Sequence, residues 1–293
     1  MRSREPNFIV AALRRCIRFA LFRDGWMTAR ELVPNFFTLL SICTALLAIR
    51  WAIEREFEWS LAAIVASVVL DGIDGRMARM LHAQSKFGAE FDSLADFVAF
   101  GVAPAFLLFN WGLSHFDSIG WAAVTGLALA CGVRLARFNA AIDRKRFDWE
   151  QDFFMGVPAP AGALLSMLPL YLDGLRSSGD PLLPGISQVN WASWAVVGYT
   201  LTVAFLMVST IPTYAGKTAG DRLVREHPLI ALVLAIGAGF LLIVYPYATL
   251  AAGAVLYFLA MPLGIRRFLQ HNKLDADVDD DDLRPTLSGN VGD

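Results

Sequence analysis

DGIDGRMARMLHAQSKFGAEFDSLAD, residues 71–96, decides how this chain reads. It sets four aspartates, Asp71, Asp74, Asp92 and Asp96, between strongly apolar stretches. A charge at membrane depth costs about 2.5–3.5 kcal/mol on insertion scales, and such residues usually serve function. Four of one sign, close together, require a positive counterpart, and a divalent cation is the simplest one. On a helix turning about 100° per residue, Asp74 falls about 60° to one side of Asp71 and Gly75 about 40° to the other. Ala78 lies between them, with Arg79 at the edge of the stripe. On the next helix Gly88, Asp92 and Asp96 advance about 40° per step and form a second stripe. The connection from Leu81 to Phe87 is short, so the helices are expected to be antiparallel neighbours with their acidic stripes facing.

The surrounding chain supports a membrane setting. It has 293 residues, is 56% hydrophobic and has a mean hydropathy of +0.50, values that point to a polytopic membrane protein. Eight apolar segments are predicted, at about 32–52, 58–81, 88–111, 118–142, 157–173, 190–211, 228–245 and 247–265, each near the roughly 20 residues a spanning helix needs. No period-2 alternation recurs, which excludes a barrel reading. The net charge of −2 says little about partners, but its distribution says more. Of the 25 Lys and Arg residues, only Arg50, Arg55 and Arg176 fall on the side opposite the rest. The positive-inside rule therefore puts both termini and the Asp71–Asp96 segment in the cytoplasm.

The flanks differ from the core. Residues 1–31 read as a retained cytoplasmic segment with an interfacial amphipathic helix at 7–22, where Arg14, Arg15 and Arg18 oppose Ile9, Leu13, Ile17 and Leu21. Residues 32–267 form the transmembrane domain. Residues 268–293 form an acidic tail, DADVDDDD at its centre, whose composition predicts disorder. Cys16, Cys43 and Cys131 show neither zinc spacing nor a disulfide framework. His82, His115, His227 and His271 are scattered, and no Ser/His/Asp or Cys/His set suggests a covalent route.

Oxygen-only ligands suit Mg²⁺, Mn²⁺ or Ca²⁺ rather than zinc or copper. Four carboxylates can hold two such ions about 4 Å apart, as in two-metal phosphoryl-transfer sites. Gly75 and Ala78 leave a gap where a bulky ligand can lie against the backbone, and the planar fork of Arg79 suits a diphosphate. A cation transporter would use the same acids, but transporters often repeat such features in both halves, and here the acids occupy one helix pair. Arg134 and Arg137, three apart near the cytoplasmic end of the fourth span, are candidates for contact with an anion. Snorkelling to headgroups is the structural alternative.

The pattern Asp71-x2-Asp74-Gly75-x2-Ala78-Arg79-x8-Gly88-x3-Asp92-x3-Asp96 resembles the signature of the CDP-alcohol phosphotransferase family at every position. FDSLADFVAFGVAPA (91–105), CGVRLARFNA (131–140) and FMGVPAPAGA (154–163) are similar to its bacterial serine-using branch, and the likeness covers about residues 32–265. The resemblance implies an all-α integral membrane fold: a six-helix core with a cytoplasm-facing polar cavity open to lipid, here with two further transmembrane helices. It implies a homodimer in the cytoplasmic (inner) membrane. The substrates would be CDP-diacylglycerol and L-serine, with CMP released and no nucleic-acid partner. By the same carry-over, Asp71, Asp74, Asp92 and Asp96 hold two divalent cations, Mg²⁺ or Mn²⁺. Gly75, Ala78, Arg79 and Gly88 serve the CDP moiety, and Asp96 is also the base that takes the acceptor proton. Glycerol 3-phosphate, inositol phosphate and choline are the alternative acceptors.

Overall fold

The computed structural model describes residues 32–82, 85–141, 153–177, 194–214 and 226–283. The expected amphipathic helix at 7–22 lies outside the described residues. The chain divides into two compact units, one ending at Leu107 and the other beginning at Leu108.

The first unit contains α1 (Leu32–Ile53), α2 (Phe57–Met80) and α3 (Lys86–Asp96), followed by a π-helical turn at Phe97–Val102. α1 packs along α2 and against α3 and the π turn. One face of α1 makes this close approach possible. Ala45, Ala48 and Ala52 are fully buried, and small side chains let helix backbones come near each other in a membrane. Polar side chains stitch the same seam: Ser60 Oγ donates to the Ala48 carbonyl at 2.8 Å, and Thr44 Oγ1 lies 2.7 Å from Ser67 Oγ. Interhelical bonds of this kind contribute about 0.6 kcal/mol each on average. Three residues into α3, the Gly88 N–H donates to the Ser85 hydroxyl at 3.0 Å, so Ser85 caps the helix start. The π turn has a local cause in Pro104. Proline has no N–H to offer the carbonyl four residues back, and its ring crowds that carbonyl, here Phe100.

The boundary falls within α4 (Ala103–Trp111), and the second unit goes on with a 3₁₀ turn at Leu113–Phe116, α5 (Asp117–Ala140), α6 (Ala159–Ser166), α7 (Leu168–Ser177), α8 (Trp194–Val208), α9 (Pro228–Val244) and α10 (Pro246–Leu283). α5 packs on α8, and α10 packs on α7 and α9. A short antiparallel ribbon, β1 (Phe153–Met155) with β2 (Pro212–Tyr214), pairs Phe154 with Thr213. The chain leaves β1 at Gly156, whose φ is +76°. A Cβ there would sit 2.6 Å from the Ser209 carbonyl oxygen, so both the backbone angle and the space require glycine.

Among the described residues, four helices are long and apolar enough to cross a membrane: Leu32–Ile53, Lys86–Trp111, Leu113–Ala140 and Pro246–Arg266. Trp194–Val208 and Pro228–Val244 are shorter apolar helices. α2 is 24 residues long but carries the acids and arginines of the deciding stretch. α9 has no buried residue, and Ile243 on it is 83% exposed. Such a surface suits lipid and would be untenable in water. The chain is thus an all-α multi-pass membrane protein, with the ribbon as a local addition. The helices fall on the predicted apolar segments, with two differences. The fifth segment is broken at Met167, two residues before Pro169. The last helix continues to Leu283, so the backbone of residues 268–283 is helical where composition predicted disorder. No Gly or Pro interrupts the chain between Gly264 and Pro285, and those are the residues that stop helices most strongly. Residues 284–293 lie outside the described residues.

Candidate active site

Everything in the acidic cluster comes from the first unit. Asp71 and Asp74 sit one turn apart on α2, and Asp92 and Asp96 one turn apart on α3. Carboxylate oxygens of Asp71, Asp74 and Asp92 lie within 4.8 Å of one another. Asp96, the last residue of α3, has its carboxyl group close to that of Asp71. The two predicted stripes therefore face each other. Asp74 is the most enclosed of the four, only 4% exposed. Its Oδ2 accepts a hydrogen bond from Thr38 Oγ1 of α1 at 3.1 Å.

Like charges at this range stay together only with a shared proton or a cation between them. The donor set fits a cation. Hard divalent ions bind oxygens at about 2.0–2.6 Å, so ligand atoms on opposite sides of one ion stand about 4–5 Å apart. The span of the three carboxylates matches that figure. Helices supply all of the acids, and sites on helices hold their geometry better than sites on loops.

Beside the acids on α2, Gly75 has room for a side chain. A Cβ built on it would meet only the Arg79 Nη1, at 3.7 Å, which is ordinary contact. The Arg79 guanidinium thus lies over Gly75, and nothing in the fold demands that Gly75 lack a side chain. Gly88 differs. A Cβ there would stand 3.1 Å from the Ser85 hydroxyl and 3.4 Å from the Asn35 Oδ1, crowding the cap of α3 and the side of α1. Its small size serves helix approach. Ala78 is half-buried on the same helix as Gly75.

Arg134 and Arg137 lie on α5, in the second unit. Arg137 Nη1 donates to the Val208 carbonyl at the end of α8, where backbone acceptors lack helical partners. Arg134 lies within electrostatic range of the Tyr257 hydroxyl on α10.

Two features of the site went unread in the sequence. One is Thr38, a hydroxyl in an apolar helix whose partner is 36 residues away. The other is the π turn directly after Asp96. Turns of this type occur frequently at functional sites, and Gly101 and Pro104 were its available signals.

The site thus gathers carboxylates from two helices, with Gly75 and Arg79 beside them on α2. The sequence profile of the CDP-alcohol phosphatidyltransferase family matches residues 31–203, more than half of the chain, and the chain belongs to that family. Members of the family use divalent metals. Among curated relatives, a Mycobacterium tuberculosis (strain CDC 1551) protein named CDP-diacylglycerol–serine O-phosphatidyltransferase is 40% identical over 184 residues, covering 62% of this chain and 60% of the relative. A Helicobacter pylori (strain J99) protein of the same name is 42% identical over 180 residues, covering 61% of this chain and 70% of its own. A Bacillus subtilis (strain 168) protein, again so named, is 33% identical over 137 residues, or 46% of this chain and 74% of the relative. The chain spans about 60% of the length of the mycobacterial relatives it matches.

Proposed function

We propose that this chain is a phosphatidylserine synthase, transferring the phosphatidyl group of CDP-diacylglycerol to the hydroxyl of L-serine and releasing CMP. The convergence of the Asp71, Asp74 and Asp92 oxygens within 4.8 Å carries this reading, and the shared name of the relatives supports serine as acceptor. Asp71, Asp74, Asp92 and Asp96 are the residues that would hold the cations, Mg²⁺ or Mn²⁺. When bound, these ions would neutralise the pyrophosphate and stabilise charge on the departing phosphate.

The chain's own residues do the rest. Arg79 offers its fork to the diphosphate. Gly75 leaves room for the donor against the backbone. Asp96 takes the proton of the serine hydroxyl as that oxygen bonds to the phosphorus carrying diacylglycerol. The bond from that phosphorus to the bridging oxygen breaks, and the electron pair leaves with CMP. Arg134 and Arg137 supply the cationic side chains a serine carboxylate or lipid phosphate calls for. The distribution of Lys and Arg supports a cytoplasmic site in the inner membrane, and the family resemblance supports a homodimer.

The test is an acceptor panel. Full-length protein in detergent with CDP-diacylglycerol should release CMP with L-serine and either Mg²⁺ or Mn²⁺, and should stop when EDTA is added. Release driven by glycerol 3-phosphate, inositol phosphate or choline, with none from serine, would overturn the acceptor assignment. A second prediction separates folding from substrate. Gly75→Ala should melt at or above the wild-type temperature, because Ala is favoured over Gly in a helix by about 0.5–1 kcal/mol. The added methyl narrows the gap, so the KM for CDP-diacylglycerol should rise about tenfold, equivalent to about 1.4 kcal/mol. Kinetics unchanged from wild type would remove Gly75 from the donor site.

A further inference from the structure

We propose that Thr38 is a positioning residue that fixes the Asp74 carboxylate for cation binding. This rests on the metal-holding reading of the acidic cluster and adds a residue outside its signature.

Thr38 and Asp74 are both buried, 3% and 4% exposed, and belong to different helices. Thr38 Oγ1 stands 3.1 Å from Asp74 Oδ2 and 3.2 Å from the Pro34 carbonyl oxygen one turn back. A hydroxyl has one proton, so it serves one acceptor at a time. An ionised carboxylate is the stronger acceptor of the two, because charge-assisted bonds are about twice as strong as neutral ones. The Pro34 carbonyl still matters, since a β-branched side chain in a helix is stiff at its first torsion and threonine settles where its oxygen meets the carbonyl one turn back. In that setting the hydroxyl points across to α2. Oδ2 of Asp74 is thereby anchored, and the carboxylate plane is fixed relative to Asp71 and Asp92, whose oxygens complete the 4.8 Å cluster. Serine would supply the same proton with a looser torsion. Valine would keep the shape and the packing against α2 while removing the proton. Residues that orient a metal ligand typically cost 10–100-fold in metal affinity when lost.

The experiment uses the full-length protein in detergent, with no substrate present. Free Mn²⁺ is followed by electron paramagnetic resonance, and thermal unfolding in EDTA reports the fold. Wild type is titrated first. Thr38→Val should weaken Mn²⁺ binding at least about tenfold with its EDTA melting temperature near that of wild type, and Thr38→Ser should bind within about threefold of wild type. Thr38→Ala serves as the decisive variant if Thr38→Val does not fold, and it should show the same loss. Variants lacking the hydroxyl that bind Mn²⁺ as tightly as wild type, with or without a lowered melting temperature, would mean that Thr38 only packs, and the proposal would fail alone. Wild type that binds no Mn²⁺ would overturn both this proposal and the metal reading beneath it.

Discussion

Asp96→Asn is expected to slow serine-dependent CMP release by about 10²–10⁴-fold, the usual contribution of a positioned acid or base, while CDP-diacylglycerol binding changes little. Asn has nearly the same shape as Asp and can hydrogen-bond to Asp71, whose carboxyl group lies close to that of Asp96 in the structure. It cannot accept a proton from the attacking hydroxyl. The side chain also sits at a backbone transition, with α3 ending at Asp96 and the π turn beginning at Phe97. A substitution that preserves shape therefore leaves this local geometry in place. Rates of CMP release measured beside equilibrium binding of the donor lipid separate the two roles. Loss of donor binding in parallel with rate would mean that Asp96 chiefly holds cations.

Asp92→Asn should have an effect of similar size by a different route. Asp92 is the α3 member of the carboxylate trio, so its loss breaks that trio and leaves Asp96 as the one acid of the cluster on α3. An amide is a weaker ligand than a carboxylate and brings no charge. Charge stabilisation by bound ions amounts to several kcal/mol, and at about 1.36 kcal/mol per decade the rate should fall about 10³-fold. The same substitution removes one of several crowded like charges. Its melting temperature in EDTA should equal or exceed that of wild type, an exchange of stability against activity common at functional sites. Wild type should gain about 2.7 kcal/mol at a Mg²⁺ concentration one hundred times its dissociation constant, and Asp92→Asn should gain almost none. An undiminished Mg²⁺-induced shift in the variant would show that Asp92 is not a ligand.

Much of this was legible in the sequence because it is written in short periods. Residues spaced by three and four fall on one helical face, so Asp71 with Asp74, and Asp92 with Asp96, could be read as stripes. A short connection then made the stripes neighbours, and the clustered carboxylates match. Hydropathy located the apolar helices for the same local reason. What escaped was set by contacts between residues far apart in sequence. Thr38 looks like any threonine in an apolar run until α1 is packed against α2. The Phe154–Thr213 pairing joins segments that lack strand-like alternation and are too short to show any. Arg137 reads in the sequence as an anion contact or as a side chain snorkelling to headgroups, and its hydrogen bond to the Val208 carbonyl, 71 residues away, has no local signal. At Gly88 and Gly75 the residue type is the same, but the surroundings differ: one abuts Ser85 and Asn35, the other meets only the Arg79 guanidinium at ordinary contact distance.

The most direct test is anomalous diffraction from crystals of the full-length protein grown with Mn²⁺ and CDP-diacylglycerol. Two manganese peaks are expected about 4 Å apart, each within bonding distance of carboxylates from the set Asp71, Asp74, Asp92 and Asp96, with the lipid pyrophosphate against them. Ordered donor lipid bound at full occupancy with no manganese among those four side chains would contradict the assignment of this cluster as the catalytic metal centre.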